Sequence, residues 1–291
     1  MVTLTNDFLT ATLATHGAEL TSLVDNHSQH EYIWQADPTV WQRHAPVLFP
    51  FVGALKDKTY RYQGQDYHMG QHGFARDLDF TVAEQSQTSA TFVLSDTPET
   101  RANYPFAFKF AITFTLENNT LAVAYHVENP DADAPLYFSV GGHPGFNVPM
   151  TEDSDFTDYY LSFAPRKSRV QIPLTAGGID YAHRTLAATD TNLQLDRKFF
   201  KNDAAIYQLT GKNTFSIRSE KTTRGVDLTV KDAQFMGVWS PYTDDATFVC
   251  LEPWWGIADT TDTTQELTDK LGINKLEPGA TFDHGYVITT H

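Results

Sequence analysis

The chain has 291 residues, 41% of them hydrophobic, 20% charged and 13% aromatic. Acidic residues outnumber basic ones by 36 to 21, and the resulting formal charge of −15 repels a phosphate backbone, which argues against a nucleic-acid partner. Cys250 is the only cysteine, so an intrachain disulfide, a zinc ribbon and a redox pair are all excluded.

The N-terminus, Met1-Val2-Thr3-Leu4-Thr5-Asn6, lacks a basic region followed by an apolar core, and no apolar run reaches membrane-spanning length. The expectation is a cytoplasmic protein without a membrane partner, either a monomer or a homodimer. Residues 1 to 35 alternate between apolar and polar and predict two or three short strands. The next segment, Trp41 to Gly53, contains Pro46 and Pro50, which bar a helix and a fully laddered central strand. It reads as an edge strand or a buried irregular loop, with Arg43 at its mouth as either a surface charge or a hydroxyl-binding donor.

Tyr60 to Met69 predicts a hairpin around Gln63-Gly64-Gln65, followed at once by Gln71-His72-Gly73-Phe74-Ala75-Arg76. Residues 88 to 95 form a further strand. Phe106, Phe108, Phe110, Ile112, Phe114 and Leu116 then occupy every second position, the pattern of a long strand with one buried face. Glu117-Asn118-Asn119-Thr120 turns the chain, and Leu121, Val123, Tyr125 and Val127 resume the alternation, completing a long hairpin.

A strand over Leu136 to Val140 delivers Gly141-Gly142-His143-Pro144-Gly145-Phe146. The glycines let a ligand come close, and Pro144 pushes His143 towards an extended conformation. Such a histidine is either displayed for chemistry or tied to a carbonyl in a tight β-corner. Residues 150 to 200 carry no clear pattern beyond an acidic surface loop at Thr151 to Asp158 and a second excursion at Thr175 to Thr191, and strands follow at 204 to 207, 214 to 218, 225 to 231, 236 to 240 and 246 to 252. Thr263 to Leu271 is the one helical signal, stopped by Gly272, and a last strand covers about Tyr286 to Thr290. Many strands at short spacing, almost no helix and no linker indicate an all-β protein, a single large antiparallel β-sandwich over residues 1–291.

Alternation in the strand 246 to 252 sets Phe248, Cys250 and Glu252 on one face. A carboxylate between Cys250-Leu251 and Pro253-Trp254-Trp255 is expected to be partly buried, which raises its pKa and suits a general base. A salt-bridged structural glutamate is the alternative. The histidines show no His-x-His or His-Glu-x-x-His spacing, so metal-independent chemistry is expected. Gly-x-Ser-x-Gly is absent, and no second carboxylate stands out to make Glu252 one of a glycosidase pair.

Taken together, His72-Gly73-Phe74-Ala75-Arg76, Gly141-Gly142-His143-Pro144-Gly145-Phe146 and Glu252-Pro253-Trp254-Trp255-Gly256 resemble the aldose 1-epimerase (galactose mutarotase) superfamily, in its diverged bacterial branch. The resemblance runs from Pro46 to the final strand. It implies a β-sandwich with an open polar cleft, a sugar substrate and no cofactor. It implies Glu252 as general base on the anomeric hydroxyl and His143 as general acid on the ring oxygen. His72 would bond the ring oxygen or a neighbouring hydroxyl. Arg43 and Arg76 would contact hydroxyls or a phosphate, Asp203 would stand in for the sugar-selecting aspartate, and Trp255 would form a wall. The intrinsic pKa values allow a protonated His143 beside an ionised Glu252 near neutral pH. The chain departs from the galactose-active pattern at Arg43-His44-Ala45-Pro46 and at His72-Gly73-Phe74. A non-catalytic sugar-binding protein on the same fold is the rival expectation, and a hexose-6-phosphate epimerase is a variant of the first.

Overall fold

A computed structural model describes residues Met1–His291. The alternating segment forms the hairpin Lys109–Glu117 and Thr120–Glu128, turned by Asn118-Asn119 with Asn118 at φ 50°, as a two-residue hairpin loop requires. Phe110, Ile112, Phe114 and Leu116 are buried on one strand, and Leu121, Val123, Tyr125 and Val127 on the other. Thr281–Thr290 pairs along the second strand, so the hairpin sits inside a nine-stranded antiparallel sheet. Leu193–Gln194 and Thr81–Gln85 are its edges.

A second sheet runs in the order Thr185–Ala187, Arg169–Ile172, Ala205–Gln208, Phe235–Trp239, Phe248–Trp255, Val140–Gly142, Val47–Leu48, and Gly145–Asn147 also pairs with Phe248–Trp255. The two sheets pack through their apolar faces: Trp255 meets Tyr125 edge-on at 6.0 Å, and Phe49, just beyond the Val47–Leu48 strand, stacks on Phe110 at 4.6 Å. One hydrophobic cluster draws on both sheets and on the N-terminal strands Val2–Thr5, Leu9–Leu13 and Leu20–Asp25. The fold is thus the expected antiparallel β-sandwich. No helix is long and apolar enough to cross a membrane.

Several boundaries differ from the sequence reading. Phe106 and Phe108 precede the ladder, and Ala107 is buried with them, so alternation overstates that strand at its start. The last strand begins at Thr281, five positions before the alternation suggested itself. Leu136 to Val140 divides at Ser139: Leu136–Phe138 pairs with Asn274–Leu276, whereas Val140–Gly142 joins the second sheet. The helix expected over Thr263 to Leu271 is only a 3-10 turn at Leu267–Asp269, because Gln265 sits at φ 64°. The α-helix is instead Pro98–Asn103, where Thr97 and Thr100 form a capping box and Pro98 opens the first turn.

Trp41 to Gly53 contributes only Val47–Leu48 to a sheet edge, as its prolines require, and Phe49 to Val52 continue as buried irregular chain. That segment and the second sheet's outer face enclose a cavity of about 720 Å³, a size typical of small-molecule sites.

Candidate active site

His143 and Glu252 meet because two adjacent strands share one register. Gly141 pairs with Trp254 and Gly145 with Cys250, and the same offset carried through Pro144 sets His143 opposite Glu252. Nε2 of His143 lies 3.1 Å from Oε2 of Glu252, and both side chains are buried. Trp41 and Trp239 flank the imidazole, with ring centroids 5.1 and 5.6 Å away. Gly141 is required here for a reason other than ligand approach. A Cβ on it would stand 2.8 Å from the Trp254 ring, and one on Gly237, which pairs with Glu252, would stand 2.5 Å from the same indole. A Cβ on Gly142 would lie 2.8 Å from the Tyr286 hydroxyl.

His72 approaches from the opposite rim. It has φ 67° and Gly73 φ 73°, a pair of left-handed residues that turns the chain beneath Gly53. Its N–H donates to the Gly53 carbonyl at 2.9 Å, and the Gly53 N–H donates to its Nδ1 at 3.1 Å. The ring stands perpendicular to that of His143 at 5.6 Å. Nε2 of His72 is 3.3 Å from the Gln71 amide.

Burial decides the electrostatics. It pushes the Glu252 carboxyl well above the usual range, and Asp203 adds to the shift while the Trp254 indole opposes it. It lowers His143 to about 3, with Arg76 contributing in the same direction. His72 is held well below its ordinary value by burial, then by His143 and Arg76. Burial therefore works against the protonated imidazole and ionised carboxylate expected from intrinsic values. Desolvation favours a neutral pair that holds one proton in the bond between the two residues.

The other expected residues are placed unevenly. Arg76 and Asp203 line the cavity with His72, His143 and Glu252. Arg76 donates through Nη2 to the Gln71 carbonyl at 2.8 Å. Asp203 is left-handed at φ 73°, and its carboxylate accepts the Ala204 N–H at 2.9 Å. Arg43 does not line the cavity. Its guanidinium bonds Asp77 at 2.6 Å and the Arg76 carbonyl at 3.2 Å, and so braces the loop that carries Arg76. Trp255 is also misplaced by the sequence reading. Strand alternation turns it into the core against Tyr125, Phe282 and His284, and its neighbour Trp254 lines the cavity on the same face as Glu252.

Trp41, Gln71, Trp239, Ser240 and Trp254 complete the wall near the pair. Sequence reasoning missed Trp239 and Ser240, which sit at a strand end that carries no motif. Three polar atoms in this wall are buried without a hydrogen-bond partner in another residue, Arg76 Nε, His143 Nδ1 and Ser240 Oγ, whereas the Trp254 indole is turned towards Glu252. Such groups are costly to bury unless a polar ligand meets them. Cys250 lies below the pair, and donor atoms of His143, Cys250 and Glu252 all fall within 4.8 Å of one another.

The sequence model of the aldose 1-epimerase family matches residues 1–289. The plasmid-encoded protein LacX of Lactococcus lactis subsp. lactis is 32% identical over 297 aligned positions, covering 99% of this chain and 98% of LacX. A galactose mutarotase related enzyme from Lactobacillus acidophilus superposes with a TM-score of 0.98 at 44% identity, covering 100% of this chain and 97% of the other. A galactose mutarotase-like protein from Lactobacillus casei gives 0.91 at 32% identity, with both chains fully covered. With a family match over nearly its whole length and relatives of this identity, the chain belongs to the aldose 1-epimerase family.

Proposed function

We propose that the chain, as a single domain, is a mutarotase that interconverts the α and β anomers of a hexose or hexose phosphate without a metal. The observation that carries this reading is the buried His143–Glu252 pair at 3.1 Å on the cavity wall, ringed by unpartnered polar atoms.

The proton inventory closes on this pair. Its neutral form and its ion-paired form have the same total charge, and one proton moving across the bond converts them. From the ion-paired form, His143 gives its proton to the ring oxygen as the C1–O5 bond breaks, and Glu252 takes the proton of the anomeric hydroxyl. The products are an open-chain aldehyde and the neutral pair, the form that burial favours. Rotation about C1–C2 presents the other carbonyl face, and the reverse transfer closes the ring on it. No net proton is exchanged with solvent, so a desolvated site suits the reaction.

His72 has its Nδ1 occupied by the Gly53 N–H, which makes Nε2–H the donor on the cavity side, where a sugar oxygen competes with the Gln71 amide oxygen for it. Ser240 and Arg76 Nε are the further groups free to meet hydroxyls, and Asp203 is the acceptor across the cavity. Arg76 together with Lys201 on the same wall favours a phosphorylated hexose as the second substrate reading. A pure sugar-binding role has no use for an opposed acid and base.

Polarimetry of freshly dissolved α-glucose, α-galactose and α-glucose 6-phosphate tests the proposal. The wild type should exceed the buffer rate on at least one, and Glu252→Gln and His143→Asn should each lose ~100-fold or more. A wild-type rate equal to buffer on every sugar, with sugar binding retained, would establish the binding-protein reading instead.

A further inference from the structure

The sequence offers no closely spaced histidine pair, but the fold assembles a metal-ligand set by another route. Cys250 and Glu252 are two residues apart on one strand, which puts both side chains on the same face. The register described above places His143 across from Glu252 on the neighbouring strand. The three residues are buried, and their nitrogen, sulfur and carboxylate donors lie within 4.8 Å of each other.

We infer that His143, Cys250 and Glu252 form an inhibitory site for a thiophilic divalent cation, with Zn²⁺ as the type case. The 3.1 Å between His143 Nε2 and Glu252 Oε2 is close to the donor–donor edge of roughly 3.3 Å expected for zinc bonds of about 2.0–2.1 Å in tetrahedral geometry, and the Cys250 sulfur, within 4.8 Å of both, would close to an edge of roughly 3.6 Å on binding. A thiolate, a carboxylate and a neutral imidazole together cancel the ion's two positive charges, so the occupied site is neutral, as its burial demands. Two protons leave to solvent when the ion enters, one from the thiol and one from the His143–Glu252 bond. The cavity gives the ion its route, since both His143 and Glu252 line it.

The site is exchangeable in character. Resident zinc histidines donate their second ring N–H to a carboxylate, carbonyl or water. Nδ1 of His143 meets no acceptor beyond the histidine's own backbone. Occupation would also consume the lone pairs that proton transfer needs, so the ion would switch the site off; this consequence rests on the epimerase reading, whereas the binding itself does not.

The test uses the full chain with Zn²⁺ in competition with a chromophoric chelator, and Co²⁺ as a spectroscopic substitute. One ion should bind per chain at this site, and Co²⁺ should give a thiolate-to-metal absorption band. Cys250→Ala should abolish the band and weaken Zn²⁺ binding by more than about tenfold, a floor set by what losing even an outer-shell partner costs. Cys250→Ser, nearly isosteric, serves if the alanine variant does not fold. In polarimetry Zn²⁺ should bring the wild type down to the buffer rate, a chelator should restore it, and the Cys250→Ala rate should resist the same Zn²⁺. Zn²⁺ affinity unchanged by loss of the thiol, or a Co²⁺ complex without the band, would overturn the site. If the wild type shows no mutarotation, the band and the affinities still decide the metal inference.

Discussion

The backbone N–H of Gly53 donates to Nδ1 of His72 at 3.1 Å, and a backbone donor cannot reverse its role. Nδ1 is therefore unprotonated, and the imidazole is the neutral Nε2–H tautomer, a fixed donor facing the cavity. Burial beside His143 and Arg76 also depresses protonation of this ring. The short Nε2 contact then assigns the carbonyl oxygen of the Gln71 amide to the acceptor position. The ¹⁵N resonances of His72 should accordingly show the Nε2–H tautomer and no titration from pH 8 down to pH 5. His72→Ala should lower kcat by about 10²-fold, the scale of removing one donor aimed at developing charge.

His143 and Glu252 act as one unit in the proposed cycle, since a single proton passes between them. The double variant Glu252→Gln/His143→Asn should then lose little more than either single variant, and not the product of the two losses. Multiplicative losses in polarimetry would mean that the residues serve separate steps.

The same pair sets a pH dependence of stability. Glu252 has its folded pKa raised by burial, so its contribution is fully present below the unfolded value near 4.5 and is lost as pH rises towards the folded one. His143 has its folded pKa lowered to about 3, so its contribution is present above the unfolded value near 6.5 and declines as pH falls. Glu252→Gln removes the first dependence. The Tm of this variant relative to wild type should therefore rise between pH 5 and pH 8. A difference constant across that range would mean that the carboxylate is stably ionised in the folded protein.

Gly73 holds the turn beneath His72 at φ 73°, and a Cβ there would stand 2.3 Å from the Phe49 carbonyl oxygen. Gly73→Ala meets both a left-handed backbone penalty and a backbone clash. It should destabilise the fold by at least about 2 kcal/mol in denaturant melts and should reduce activity through displacement of His72.

Lys270 and Asp259 form a buried ion pair at 2.7 Å, and the second Asp259 oxygen accepts the Lys56 N–H at 3.0 Å. Lys270→Met leaves that carboxylate uncompensated and should cost about 3–5 kcal/mol. Adding Asp259→Asn should recover part of the loss, as a chemical-denaturation cycle would show.

Sequence alone determined the sheet-forming hairpin at Lys109–Glu128, because alternation of Phe and Ile against Thr and Ala is a local consequence of the pleat. It also nominated His72, His143 and Glu252, because glycine, proline and a carboxylate among apolar residues each constrain the backbone or its burial within a few positions. Residues 150 to 200 were not legible in this way: their strands are short, and pairings such as Gln171 with Tyr207 are made at long range. The helix at Pro98–Asn103 carries a local signal, Thr97-Pro98 with Thr100 three positions on from the cap. Only the tertiary structure decided that Trp254 and not Trp255 lines the cavity, that Arg43 braces a loop, and that Cys250 joins His143 and Glu252. Those outcomes depend on strand register and on which sheet face meets the core, and distant partners fix both. The direction of the pair's pKa shifts was set there too, since desolvation, unlike intrinsic pKa, exists only once the chain has closed around it.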